Sequence, residues 1–180
     1  MVKSAAIAVA LSTVSCSAAP SNIITGPRPK SYRVHVSPDF TADQQAIAVA
    51  AVDAWVAAVP GLTLDVDVSW VNSDGIQLRP EWGLPLETGR GNEELGHTEY
   101  QSASAATCEI DVDWATDYAA SVGADPAIVP TWLLWTFEHE LGHAMMGPLH
   151  LMTSARMLPS LNDQPKDITA DDVAHFWETR

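Results

Sequence analysis

The sequence His-Glu-Leu-Gly-His at residues 139–143, followed by Ala-Met-Met-Gly-Pro-Leu-His at 144–150, decides how the rest of the chain is interpreted. Two histidines four residues apart on a helix lie on one face, one turn from each other. The imidazoles of His139 and His143 can therefore converge on one metal ion. Glu140 lies beside the first histidine, where its carboxylate can reach a water molecule on that metal. The spacing predicts a helical site with two metal ligands and one acid–base group.

A third histidine follows this helix at a turn. Catalytic zinc sites usually have three protein ligands and an open position for water. Gly147 and Pro148 can end the helix and turn the chain back, which makes His150 the candidate third ligand. Because H-E-x-x-H is the arrangement of zinc hydrolases, we expect one catalytic Zn²⁺ on His139, His143 and His150.

The stretch 139–160 resembles the metzincin metalloproteases, and most closely their matrixin-like branch. The family pattern is H-E-x-x-H-x-x-G-x-x-H followed by a Met-turn. The Met-Leu-Pro-Ser sequence at 157–160 is similar to that turn. The chain departs from the pattern by one residue, because Gly147 and His150 each come one position later than in the family. A gapless alignment would instead place Leu149 in the third-ligand position.

The resemblance implies a fold and an activity. The fold is α+β and zincin/metzincin-like over residues 31–180, with a mixed, mostly parallel five-stranded sheet, two long helices and a short C-terminal helical subdomain. The activity is hydrolysis of peptide bonds in a protein or peptide substrate, with Glu140 as general base. Met157 would pack beneath the metal without binding it.

Substrate binding is also implied by the resemblance. An edge strand leaves backbone N–H and C=O groups unpaired, so that a peptide can add to it as a further strand. A second group of residues, after the Met-turn, would form one wall of the pocket for the residue that follows the cleaved bond. The residues implied by these two features are Gly96, His97, Thr98, Leu158, Pro159 and Ser160.

Two other interpretations stay open at this point. One is a catalytically impaired binding module on a metzincin-like fold, motivated by the displaced His150. The other is a zinc site with a carboxylate as third ligand further along the chain. The acidic residues available for that role are Asp163, Asp167, Asp171, Asp172 and Glu178.

Sequence patterns also predict the elements around the central helix. Alternation of apolar and polar residues predicts strands at 31–36, 62–70 and 107–113. A further short strand is expected at 75–79, and the edge strand that the resemblance implies lies at 95–100. A capping box beginning at Thr41 starts a helix that Pro60 ends, and Thr169 caps a last helix. The active-site helix is expected at 130–146, and residues 117–129 are expected to be a connection.

Residues 80–96 are rich in Pro, Gly and Glu, and they predict a loop. Matrixin relatives hold structural zinc or calcium in this region, but the His/Asp cluster for structural zinc is absent here. Carboxylate and amide oxygens suit Ca²⁺, although an acidic loop without metal is the favoured interpretation. The residues that could bind Ca²⁺ are Glu87, Asn92, Glu93 and Glu94.

Length and charge restrict the class of protein. The chain has 180 residues, enough for one domain with a sizeable core. Its formal net charge of −14 argues against nucleic acid and anionic membrane surfaces as partners. We expect a monomer.

Residues 1–19 predict a secretory signal, and residues 20–30 predict a linker. Lys3 supplies a positive start, and residues 5–14 form an apolar segment too short to span a bilayer. Signal peptidase could cut near Ala18 or Ala19, or Cys16 could be the lipidated cysteine of a lipoprotein. We therefore expect an extracytoplasmic protein, secreted or lipid-anchored, with any membrane contact made through that lipid. The other cysteine, at position 108, alternates with apolar residues and predicts a buried side chain.

Overall fold

The computed structural model describes residues 29–70, 74–81, 96–147 and 167–179. The strands in these ranges are β1 Ser31–Val36, β2 Thr63–Val68, β3 Ile76–Glu81, β4 Gly96–Ser102 and β5 Ala105–Asp111. The helices are α1 Ala42–Ala58, α2 Trp114–Val122, α3 Val129–Met146 and α4 Ala170–Glu178, with a 3₁₀ helix at Pro126–Ile128.

The five strands form one sheet in the order β2-β1-β3-β5-β4. Strand β1 pairs in parallel with both β2 and β3, and β3 pairs in parallel with β5. Strand β4 alone runs antiparallel to its neighbour β5 and lies at one end of the order. This arrangement confirms the predicted five-stranded, mixed and mostly parallel sheet, and it makes β4 the predicted edge strand.

Helix α1 begins and ends where its sequence signals place it. The Thr41 hydroxyl accepts a hydrogen bond from the Gln44 N–H, and the Gln44 side chain accepts one from the Thr41 N–H. This reciprocal pair satisfies two of the donors that a helix start leaves unpaired. Val59 caps the other end, directly before Pro60.

The core lies between the sheet and the two long helices, α1 and α3. Apolar side chains from alternate strand positions face the helices, and each such burial stabilises the fold by roughly 1.5–3 kcal/mol. The largest side chains that are fully buried in this layer include Trp55, Ile76, Leu78, Ile110, Phe137 and Leu141. The predicted burial of Cys108 is confirmed as well.

The structure corrects the strand predicted over 62–70. Strand β2 ends at Val68, and the Trp70 side chain is 64% exposed rather than continuing an apolar face. Because β2 is the other terminal strand of the sheet, its neighbours cover less of its surface. Strand β3 in turn continues through Pro80 and Glu81, where the sequence predicted a loop.

The connection predicted over 117–129 was wrong in its first part, because residues 117–122 belong to helix α2 and a 3₁₀ helix follows at Pro126–Ile128. The rings of Trp114 and Tyr118 stack with centroids 4.9 Å apart, and both rings also contact Trp132 of α3. This i, i+4 aromatic pair stabilises helix α2 on its neighbour. Gly123, at φ +67°, ends the helix in the left-handed conformation that glycine adopts without strain.

Several sequence predictions fall on residues outside the described ranges. They are the signal peptide, most of the linker, the four calcium candidates, His150 and the Met-turn with its following residues. The last predicted helix is present as α4, with Thr169 and Asp172 forming a capping box. In the part of the chain that the structure describes, no helix combines the length and apolar character that crossing a membrane requires.

Candidate metal centre

Helix α3 brings His139 and His143 together on one face. Their Nε2 atoms lie 3.0 Å apart, and their ring planes are nearly perpendicular, at 88°. The two residues are only 5% and 1% exposed. The convergence predicted from the four-residue spacing is confirmed, and it takes place in a buried environment.

The end of α3 fixes the tautomer of His143. The Nδ1 atom of His143 lies 3.0 Å from the carbonyl oxygen of Gly147, which can only accept a hydrogen bond. The Nδ1 atom therefore carries the hydrogen, and in the neutral ring Nε2 presents a lone pair towards His139. Gly147 adopts φ +111°, and its own N–H donates to the His143 carbonyl oxygen at 2.8 Å.

This pair of imidazoles suits a zinc ion. Zn–N distances of about 2.0–2.1 Å and tetrahedral angles separate two ligand nitrogens by roughly 3.3 Å, close to the separation of the two Nε2 atoms. A ligand histidine usually donates its other ring N–H to a carbonyl or carboxylate, as His143 does here. In metal-free protein the same 3.0 Å separation suits an N–H···N hydrogen bond between the rings.

The third ligand lies outside this description. Across the described ranges, no group of three His, Cys, Asp or Glu side chains is placed to hold a metal. The description of this part of the chain stops at Gly147, the residue that ends α3, and His150 lies three residues further on. The structure therefore brings together two of the three predicted ligands, and the ligand roles of His139, His143 and His150 all stay predictions.

Strand β4 holds the carboxylate of Glu140, which is 1% exposed. The Thr98 hydroxyl donates a hydrogen bond of 2.6 Å to Glu140 Oε2. A Cβ atom at Gly96 would lie 2.8 Å from Glu140 Cγ and 3.0 Å from Oε1, so the glycine leaves the space that the carboxylate fills. Sequence reasoning gave Gly96 and Thr98 a substrate role through their backbone and missed these contacts.

The missed contacts follow from strand geometry. Positions 96, 98 and 100 alternate along β4 and share the face towards α3, whereas position 97 lies on the opposite face. His97 accordingly pairs across the sheet with Glu109, and its Nε2 lies 4.0 Å from Glu99 Oε1. Its predicted contribution to substrate binding would come from the backbone.

Side chains from the surrounding elements also bind the backbone of α3. In each case an N–H, O–H or S–H group donates to a helix carbonyl oxygen, and such hydrogen bonds contribute about 0.5–1.5 kcal/mol each. Together they fix the ligand-bearing turns against the sheet and α1. The pairs are Trp55 to Glu138 at 2.8 Å, Tyr100 to His143 at 3.1 Å, Tyr32 to Met145 at 3.4 Å and Cys108 to Glu140 at 3.5 Å.

Cys108 is a buried thiol that lies behind Glu140. Burial, and then the negative charge of Glu140, raise the pKa of the Cys108 thiol well above its usual range. A thiol that stays protonated is a poor nucleophile and a poor metal ligand. The prediction that Cys108 acts as a small buried apolar residue agrees with this environment.

The comparisons with known proteins leave the family open. No protein-family model matches the chain, and no curated protein matches it. The metzincin resemblance therefore depends on the motif at 139–160 and on the geometry described above.

Proposed function

We propose that this chain is a zinc-dependent endopeptidase of metzincin-like fold, secreted or anchored at the cell surface. The observation that carries the proposal is the pair of buried imidazoles, with His139 Nε2 and His143 Nε2 3.0 Å apart on α3. The carboxylate of the intervening Glu140 lies on the same helix and is held against β4.

The sheet supports the finer fold assignment. Its one antiparallel strand, β4, lies at the end of the sheet and packs against the helix that carries the histidines. Among the described residues, no other strand pairs with the outer side of β4. In the proposed enzyme a peptide substrate would bind alongside β4, with its scissile bond beside the site. Gly96, His97 and Thr98 would contribute their backbone groups.

The mechanism assigns one task to each group. Bound zinc would supply a Lewis acid that lowers the pKa of a water molecule to near neutral and polarises the scissile carbonyl. His139, His143 and His150 would hold it, with Met157 packed beneath. Glu140 takes the proton of the attacking water and passes it to the leaving amine. Leu158, Pro159 and Ser160, which follow Met157, would form one wall of the pocket for the residue after the cleaved bond.

The experiment measures bound zinc per chain and hydrolysis of casein or gelatin on the same preparations. Wild type is expected to bind about one zinc per chain. Glu140→Ala is expected to keep the zinc and lose hydrolysis, whereas His150→Ala loses activity and binds zinc more weakly. His175→Ala, a histidine substitution on α4, is the matched control and should keep both properties.

Each departure from this pattern has a definite meaning. Proteolysis by Glu140→Ala would overturn the general-base assignment. Zinc binding and proteolysis by His150→Ala at wild-type levels would remove His150 from the site and favour a carboxylate ligand. Stoichiometric zinc in a wild type that hydrolyses no protein substrate would favour the binding module over the enzyme.

A further inference from the structure

The side chains of Thr98 and Glu140 make a contact that strand pairing does not require. Strand pairing uses backbone groups, which any residue except proline supplies. Thr98 nevertheless lies 4% exposed with its hydroxyl 2.6 Å from Glu140 Oε2. A hydrogen bond of this length from a hydroxyl to an ionised carboxylate is of the short, charge-assisted kind.

The hydroxyl has one hydrogen and three acceptors within reach. Glu140 Oε2 is the nearest at 2.6 Å, whereas the Glu140 carbonyl oxygen is at 3.4 Å and Cys108 Sγ at 3.5 Å. A carboxylate oxygen is also the strongest acceptor of the three, so the hydrogen lies towards Oε2. The Cys108 thiol donates to the Glu140 carbonyl oxygen instead.

We propose that Thr98 is a positioning residue for Glu140, and that it fixes the carboxylate so that Oε1 accepts the proton from water. A glutamate side chain has several rotatable bonds, and general-base catalysis requires its oxygen within hydrogen-bond reach of the water. Thr98 holds Oε2 from one side, and Gly96 allows Oε1 to lie over the strand backbone. This inference depends on the proposed endopeptidase function for its catalytic meaning.

The first experiment compares kinetic constants of three variants of the zinc-loaded protein on a peptide substrate. Thr98→Val removes the hydroxyl at nearly constant volume and is expected to lower kcat by about ten- to a hundredfold with little change in KM. Thr98→Ser keeps the hydroxyl and should stay within about threefold of wild type. Thr107→Val removes a hydroxyl of β5 that accepts from Gln101 at 3.1 Å, and it should leave kcat unchanged.

Two results would overturn the assignment. One is a Thr98→Val enzyme whose kcat equals or exceeds that of wild type. An unchanged kcat would mean that the hydroxyl does not help Glu140, and a higher kcat would mean that it holds Glu140 in an unproductive position. The other is an equal loss of kcat in Thr98→Ser and Thr98→Val, because an effect that survives retention of the hydroxyl would belong to the shape and packing of the side chain. Zinc content measured on every variant excludes loss of metal as the cause.

A second experiment needs no activity and separates this inference from the proposed function. Urea unfolding of metal-free wild type, Thr98→Val, Glu140→Ala and the double variant forms a double-mutant cycle. The effects on the unfolding equilibrium constant should be non-additive by about tenfold, as expected for a short hydrogen bond to a buried carboxyl group. Additive effects would show that Thr98 does not hold Glu140, whereas an inactive wild type with strong coupling would refute only the endopeptidase.

Discussion

Replacing Gly96 with alanine tests the contact between β4 and Glu140, the proposed acid–base group. The added Cβ would lie 2.8 Å from Glu140 Cγ and 3.0 Å from Cδ and Oε1. Non-bonded carbon atoms prefer about 3.5–4.0 Å, so that Glu140 or β4 must move by roughly 0.7 Å. Movement of either one would cost free energy, because it would break the hydrogen bond from Thr98 to the carboxylate or those from side-chain donors to the backbone of α3.

The size of the effect follows from that displacement. Overpacking a buried site costs about 1–3 kcal/mol of folding stability. A shift approaching 1 Å in a reacting group can cost on the order of a hundredfold in rate. We therefore expect Gly96→Ala to lower kcat/KM by about ten- to a hundredfold. Bound zinc should stay near the wild-type level.

The assay pairs peptide hydrolysis with urea unfolding, and Gly123→Ala is the matched control. Gly123 has φ +67°, and a Cβ atom there would have no atom within 4 Å among the described residues. The control should lose about 1–2 kcal/mol of stability from backbone strain while keeping kcat/KM. If Gly96→Ala matches wild type in both rate and stability, Glu140 does not pack against β4 as described.

Two further predictions concern side chains of strand β5. Partial burial, and then the Glu81 carboxylate, raise the pKa of Glu109 above its ordinary 4.5, so that the folded state binds this proton more tightly than the unfolded state. The contribution of Glu109 to folding stability therefore falls as the pH rises from about 4.5 through the raised pKa of the folded state. In urea unfolding, Glu109→Gln should be more stable than wild type at pH 7. This gain should vanish below about pH 4, where the carboxyl is protonated in both states. The Cys108 thiol is buried, and its raised pKa keeps it protonated. In a Cys16→Ala variant, where it is the only cysteine, it should react with iodoacetamide only under denaturing conditions. Rapid labelling of the folded protein, measured by mass spectrometry, would contradict the buried position.

The fold was predictable where local signals agree with burial. Strand β1 and helix α1 have clear alternation or caps, and the structure places both at the predicted positions. The exposed end of β2 was not predictable, because alternation does not say whether a strand is central or terminal. Helix α2 was missed because Gly123 and Pro126 suggested a connection, while the aromatic packing that stabilises the helix depends on α3.

The site was predictable to the extent that it lies on one helix. The i, i+4 spacing gives the convergence of His139 and His143 without any knowledge of the rest of the chain. The partners of Glu140 come from β4, more than forty residues earlier, and only the tertiary structure brings the two together. Alternation along β4 could have placed Gly96 and Thr98 on one face, but not against this carboxylate.

The one-residue departure from the metzincin pattern has a structural location. Helix α3 continues through Met146, and Gly147 at φ +111° is the residue that ends it. Each added helical residue rotates the exit of the chain by about 100° and advances it by about 1.5 Å. The extra residue lies after His143, so it leaves the two imidazoles and Glu140 in place. Its consequence therefore falls on the chain that leads to His150, which is why zinc affinity of the His150→Ala variant is the decisive comparison for the third ligand.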